Sequence, residues 1–389
     1  MSNITNFLKS ILACFLGLLL ATSCSNDNEP PTSAKRTILV YMIASNSLGY
    51  NGYDESDLQE MESAVSSNSL NGCRLLVFLK NYDNNSTLFE ITRTNGVATR
   101  TTLKTYDNSM AATSVSRMSS VISDVASLAP AKSYGLVLWS HASGWALKLE
   151  RSNTTKAMAA NMPIVRNYGQ DGTYEMRVNE LADALPDNMF DFIYCDVCYF
   201  GCVEIAYQLR KKTHYFVASP TVILGDGMPY NQNIQAFCKD TPDLVAACQN
   251  TFNYYNAQSG EYKSSTIALV DCSALDALAS ISARIFANNY AVGSSGIQQY
   301  TLPSDGKCLF FDFLQYMKAM ATDEQASELN AAYNKAVIYK AATTSIMQRL
   351  TINLDNFSGL SSYIMGIGNE TNENYYTTLD WYKDTVNKK

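Results

Sequence analysis

Residues 36–43 (RTILVYMI), 73–80 (CRLLVFLK), 134–140 (YGLVLWS), 190–196 (FDFIYCD) and 214–219 (HYFVAS) are short, almost unbroken apolar runs of strand length. Stretches of helical character, such as residues 54–65 and 112–128, separate several of them. A strand that is apolar on both sides must be covered on both sides, which an antiparallel sheet with one wet face does not require. The pattern therefore predicts an α/β fold, a largely parallel sheet flanked by helices. Residues 86–93 alternate like a half-exposed strand and residues 266–271 resemble a further one. The remaining C-terminal residues read as mostly helical, notably 272–289 and 322–339. No repeat period or long low-complexity linker divides the body. The expected organisation is a core over residues 36–271 with a mixed, largely helical C-terminal part, residues 272–389, packed on it.

Residues 1–23 lie outside that scheme. Lys9 precedes an apolar run from Ile11 to Leu20, followed by the small residues Ala21, Thr22 and Ser23. A basic start, a short apolar centre and a small-residue exit are the marks of a secretory signal, and the run is too short for a membrane-spanning helix. Ala21-Thr22-Ser23-Cys24 resembles a bacterial lipobox, in which Cys24 is acylated and becomes the mature N-terminus. The polar, proline-containing stretch over residues 24–35 suits a flexible tether. The expectation is a lipoprotein anchored in the bacterial cell envelope, periplasmic or surface-exposed, touching the membrane through its lipid alone.

Composition narrows the chemistry. With 47% hydrophobic and 17% charged residues, the chain is globular in type rather than disordered. A net charge of −7 opposes nucleic-acid binding, which calls for a basic surface. Only two histidines are present, so imidazole-rich metal sites are disfavoured and a histidine-dependent mechanism must use His141 or His214.

Sites in open α/β sheets form at the carboxyl ends of strands. The run over residues 134–140 ends at His141, followed by the small-residue loop Ala142-Ser143-Gly144, and the run over 190–196 leads to Cys198. If these strands are neighbours, an imidazole and a thiol emerge side by side. A cysteine nucleophile works as its thiolate, and a nearby histidine can take its proton and later protonate a leaving amine. Cys202, Ile205, Ala206 and Leu209 recur as one buried helical face, which sets Cys198 ahead of a helix N-terminus whose dipole favours thiolate. His214 begins a strand after the basic run Arg210-Lys211-Lys212 and reads as a surface residue. Cys195, Cys198 and Cys202 do not have zinc-ribbon spacing, and Cys195 and Cys202 read as buried packing. Setting aside Cys14 and Cys24 leaves an even number of cysteines, which permits disulfides.

These residues resemble a known family. His141-Ala-Ser-Gly-Trp145 is similar to the H-G-x-G-W segment of clostripain-type cysteine peptidases, and Cys195-Asp-Val-Cys-Tyr-Phe-Gly-Cys-Val-Glu-Ile-Ala-Tyr207 to their D-x-C loop and V-E-x-A-Y helix. Tyr41-Met-Ile-Ala-Ser-Asn-Ser-Leu48 resembles the family's first strand and turn, and Glu180-Leu-Ala-Asp-Ala-Leu185 its E-L-x-x-A-L helix. The resemblance runs from about residue 36 to about residue 230. It implies a caspase-like fold and a cysteine endopeptidase that cleaves after Arg or Lys, with His141 as general acid/base and Cys198 as nucleophile. It further implies an oxyanion hole from the amides of Ala142 and Cys198, and an acidic pocket for basic side chains from Asp196 and Asp226. Asp226 also reads as an ordinary Gly-Asp-Gly turn. Self-processing is expected between the two segments, after Lys148, Arg151 or Lys156.

The chain departs from the family at Ala142, which replaces a glycine, and at Ser45 and Ser47, which replace Asp and Asn. Tyr199 and Phe200 are bulkier than usual and are expected to narrow the cleft. No cofactor is required by the sequence, and a calcium requirement stays open, as does oligomeric state. The expected partners are peptides or proteins with a basic residue before the cleaved bond. The rival function is a catalytically weak or inactive lipoprotein of the same fold that serves as a binding module in the envelope.

Overall fold

Strand β1 (Thr37–Ile43) is buried over its whole length and feeds two separate cores. Leu39, Tyr41 and Ile43 join one, and Ile38, Val40 and Met42 join the other. This is the two-faced burial that the unbroken apolar runs require. In the computed structural model, residues 33–147, 167–288 and 292–387 are described. The expected signal segment and Cys24 lie outside them, as do Lys148, Arg151 and Lys156.

Eight further strands complete the sheet: β2 (Arg74–Lys80), β3 (Ser86–Thr94), β4 (Val97–Tyr106), β5 (Tyr134–Trp139), β6 (Phe190–Asp196), β7 (Thr213–Ala218), β8 (Thr266–Asp271) and β9 (Val337–Ala342). Their spatial order is β9-β8-β7-β6-β5-β1-β2-β3-β4. The centre, β2-β1-β5-β6-β7, is parallel, and antiparallel pairs extend it at both edges. The fold is thus mixed α/β with a large, mostly parallel sheet.

Helices cover the sheet on both sides. Helix α1 (Tyr53–Ser66), α5 (Tyr230–Phe237) and α6 (Leu244–Asn256) pack into the core of Ile38, Val40 and Met42. Helix α2 (Val115–Leu128), α3 (Val178–Ala184), α4 (Val203–Leu209), α7 (Leu275–Phe286), α8 (Phe313–Met320) and α9 (Asp323–Ala336) pack into the other.

Two strands depart from the sequence reading. β4 is largely exposed and polar, so it carries no apolar signal; it pairs with β3 across the Asn95-Gly96 turn, where both residues have positive φ. The helical pattern over 322–339 stops at Ala336, and the chain continues as β9, antiparallel to β8. The helix expected over 272–289 opens with a 3₁₀ turn, Cys272–Ala274, and becomes α7 only at Leu275. No helix among the described residues is long and apolar enough to cross a membrane.

Candidate active site

β5 and β6 are neighbouring parallel strands in which Trp139 pairs with Asp196. His141 follows Trp139 by two residues and Cys198 follows Asp196 by two, so the loops that carry them leave the same end of the sheet in step. Both residues are partly buried. Burial lowers the His141 imidazole to about 4, so it is neutral at physiological pH. Burial likewise pushes the Cys198 thiol up to about 12, against the Ile223 N–H that hydrogen-bonds its sulfur at 3.4 Å, while the charges of Asp305 and Asp196 add to the rise. The resting pair is therefore thiol and neutral imidazole, not an ion pair. No hydrogen bond joins them; His141 Nε2 instead lies 2.8 Å from Ser47 Oγ.

That contact gives a purpose to the first turn, where Ser45 and Ser47 depart from the family pattern. Ser47 opens a one-turn helix, Ser47–Tyr50, capped by Asn46, whose Oδ1 accepts from Leu48 N. Asn46 Nδ2 donates to Ile43 O and Gln170 O, and Ser45 Oγ donates to Asp171 Oδ1 at 2.6 Å. The end of β1 and the segment around Asp171 are thereby locked beside His141.

The expected help from a helix dipole fails. α4 begins at Val203, with Cys202 as its N-cap, so a full loop separates it from Cys198. Dipole effects fade beyond the first turn, and burial dominates the thiol. The loop reverses through Tyr199 at φ +60. Tyr199 and Phe200 do not narrow a cleft: both are buried, Tyr199 stacked on Phe310 and Phe200 against Tyr168. Among the described residues, no hydrogen bond engages the amide N–H of Ala142 or of Cys198. Their loops are fixed by adjacent bonds, Ser143 N to Asn167 O and Tyr199 N to Thr221 O.

Asp196 is buried and lines a pocket with Ser219, Ile223, Gly227, Met228 and Tyr255. Its Oδ2 accepts from Met228 N at 3.1 Å and from Tyr230 Oη at 3.0 Å. Burial raises its carboxyl above the usual range in spite of these donors. A second buried carboxylate, Asp57 on α1, accepts from Trp139 Nε1 at 2.6 Å; burial and then the charge of Asp196 push it up strongly. Gly227, at φ +62, lets the chain pass these acids, since a Cβ there would come within 2.7 Å of Asp196 Oδ2 and 3.1 Å of Asp57 Oδ2. Glu60 accepts from Tyr230 N, and Asp226 is exposed at the neighbouring position. Asp57 and Glu60 escape a reading of the sequence because α1 is rich in acids and none stands out by spacing. His214 is exposed on β7, 4.0 Å from Asp191.

The C-terminal segment closes around both loops. Trp145 is enclosed by Phe310, Tyr363 and Tyr376. Tyr199 Oη donates to Asp305 Oδ2 at 2.5 Å and accepts from Leu302 N. Ser361 N donates to Gly201 O, and Tyr363 N to the buried Glu204 Oε1.

A parallel sheet with a histidine and a cysteine on adjacent strand ends defines a caspase-like cysteine-peptidase scaffold. The chain belongs to the clostripain family (peptidase C11), whose model matches residues 40–389. Solved structures agree. An inactive zymogen C11 protease from Parabacteroides distasonis superimposes with a TM-score of 0.76 at 30% identity, covering 91% of this chain and 99% of that one. A secreted C11 cysteine protease from Bacteroides thetaiotaomicron, bound to an irreversible peptide inhibitor, gives 0.75 at 28% identity, covering 90% and 98%. A further structure of a secreted C11 cysteine protease from that organism, iotapain, gives 0.77 at 26% identity, covering 91% and 100%. No curated protein matches significantly. The chain is a clostripain-family cysteine peptidase, a hydrolase of peptide bonds.

Proposed function

We propose that this peptidase cleaves after Arg or Lys with His141 and Cys198 as its dyad. The observation that carries the reading is the register of β5 with β6, which sends both residues out of adjacent strand ends. In this mechanism His141 exchanges its Ser47 contact for the thiol and takes its proton. The Cys198 sulfur then attacks the carbonyl carbon, and the amides of Ala142 and Cys198 receive the oxyanion. The imidazolium protonates the leaving amine; water, activated by the neutral imidazole, hydrolyses the thioester. Because burial favours the neutral pair at rest, substrate binding must assemble the reactive arrangement. Asp196, in its pocket, pairs with the basic side chain of the substrate, and Asp226 adds negative charge at the exposed rim.

Self-processing after Lys148, Arg151 or Lys156 belongs to the same reading. The flanks of that stretch are held, since Leu147 N donates to Asn372 Oδ1 and Asn167 N to Ser143 Oγ, so a cut between them leaves both ends attached. The proposal includes a signal over residues 1–23, a lipid on Cys24, a tether to residue 35, a peptidase core over 36–271 and a C-terminal extension over 272–389. It places the enzyme in the cell envelope, in keeping with secreted relatives.

Hydrolysis of Arg- and Lys-linked reporter peptides tests the dyad. Cys198→Ala should lower kcat/KM by at least about 10³-fold and leave the chain uncut between His141 and Cys198. Equal turnover by both proteins, or identical intact chains, would sink the reading; binding of peptides without turnover, even after nicking by trypsin, would favour the binding module. Asp196→Asn should lower kcat/KM for these peptides by roughly 10- to 100-fold, through loss of a partly desolvated charge pair.

A further inference from the structure

At the end of the sheet away from the site, Cys73 immediately precedes β2 and Cys238 caps the C-terminus of α5. Both are buried, and Cys73 Sγ donates to Cys238 O at 3.8 Å, so the two cysteines are in direct contact. Their surroundings are cationic. Lys35 Nζ donates to Cys238 O at 2.8 Å, and Arg36 Nη1 donates to Phe237 O and Lys239 O. Lys35 also pairs with the exposed Asp240, and Cys73 itself keeps 6% of its surface accessible.

The adjacent Cys238 side chain, together with the charges of Lys35 and Arg36, holds the Cys73 thiol below its ordinary value despite burial. Burial instead raises Cys195, Cys198, Cys202, Cys248, Cys272 and Cys308. Among the described cysteines, Cys73 is thus the one favoured as thiolate, and it has a second thiol at hand. This is the arrangement that thiol–disulfide exchange needs, an ionised attacker and an adjacent resolving sulfur.

We propose that Cys73 and Cys238 form an intramolecular disulfide when the folded chain meets a low-molecular-weight disulfide. The Cys73 thiolate attacks one sulfur of the oxidant, breaking its S–S bond, releasing one thiolate and forming a mixed disulfide. Cys238, after losing its proton to solvent, attacks the Cys73 sulfur, forms the internal S–S bond and expels the second thiolate. Two protein thiols are oxidised, one small disulfide is reduced to two thiols, and the two protons end on those thiols. The cross-link joins positions 165 residues apart in the chain, and long closed loops give the largest stabilisation. It ties the start of β2 to α5, whose first residue holds Asp196 and Glu60. The proposal does not depend on the assignment of the dyad.

The test uses the full chain carrying Cys198→Ala, which removes the nucleophile from the chemistry. After exposure to glutathione disulfide and alkylation in denaturant, non-reducing peptide mapping should show Cys73 linked to Cys238 with loss of two hydrogens. The Tm should rise by about 3–8 °C, reverse with dithiothreitol, and stay unchanged by oxidant in Cys73→Ser and Cys238→Ser. Full alkylation of both cysteines after oxidation would overturn the proposal, as would a glutathione adduct that persists on Cys73 without the cross-link. The map is made on the intact pair, so it decides the matter even where a serine variant fails to fold.

Discussion

The parallel centre and the segment from residue 292 onward hold the same site by opposite means. In the centre, β5 and β6 place His141 and Cys198 through regular backbone pairing between buried strands, and side chains merely fill the two cores. From residue 292 to 312 and from 343 to 369 the chain is mostly irregular, with strands of only two residues such as Phe311–Asp312 and Ser361–Ser362. It is held by specific contacts: a ring stacked on Tyr199, rings set edge-on to Trp145, and buried polar bonds to Gly201 and Glu204. The sheet decides where the Cys198 loop begins, whereas the C-terminal segment decides its shape. A regular ladder resists change everywhere, while a set of single contacts can be tuned one at a time.

The largest effect is expected where the loop meets the centre. A Cβ at Gly201 would lie 2.5 Å from Pro220 N and 2.7 Å from Ser219 C, both backbone atoms that cannot rotate away. Gly201→Ala should cost at least about 3 kcal/mol in urea-induced unfolding. A cost under about 1 kcal/mol would show that the strand-end loops are as pliable as the C-terminal contacts.

Glu204 sharpens the contrast at the next level. It is fully buried, Tyr363 N and Ser362 Oγ donate to its Oε1, and its Oε2 has no hydrogen-bond partner among the described residues. Burial raises the carboxyl from 4.5 to about 7. A carboxyl raised on folding contributes stability that is complete below pH 4.5 and lost as pH rises through 7. Relative to Glu204→Gln, the unaltered chain should therefore lose about 3 kcal/mol between pH 4 and pH 8. Parallel stability–pH profiles for the two chains would remove Glu204 as a titrating link between the regions.

The smallest effect belongs to Tyr199→Phe. It removes the hydroxyl between Asp305 and Leu302 N but keeps the stacking on Phe310. Thermal unfolding should report a loss of about 1–2 kcal/mol, and kcat/KM should fall by less than about 10-fold. A drop as large as that of Cys198→Ala would mean that the C-terminal contact governs the chemistry itself.

Much of the centre is legible because two-faced burial writes itself into the sequence as unbroken apolar runs, and because a strand end marks where a functional loop starts. β4 is not legible, being exposed and polar, and β9 is hidden because its residues continue a helical pattern. Asp57 and the role of Ser47, which stands out in the sequence only as a departure from the family pattern, escape for a different reason. Each acts through a neighbour distant in the chain, Trp139 for one and His141 for the other, and no local spacing encodes such a meeting.

By itself the sequence determined the α/β sheet, the two loops and the residues His141 and Cys198 at their starts, because strand burial and side-chain chemistry are local properties. Only the tertiary structure decided the state of that pair. Burial holds the thiol protonated and the imidazole neutral, Ser47 occupies Nε2, and residues from the far end of the chain shape the loop between Cys198 and α4. Desolvation and long-range hydrogen bonding depend on what packs around a group, and packing exists only once the chain has folded.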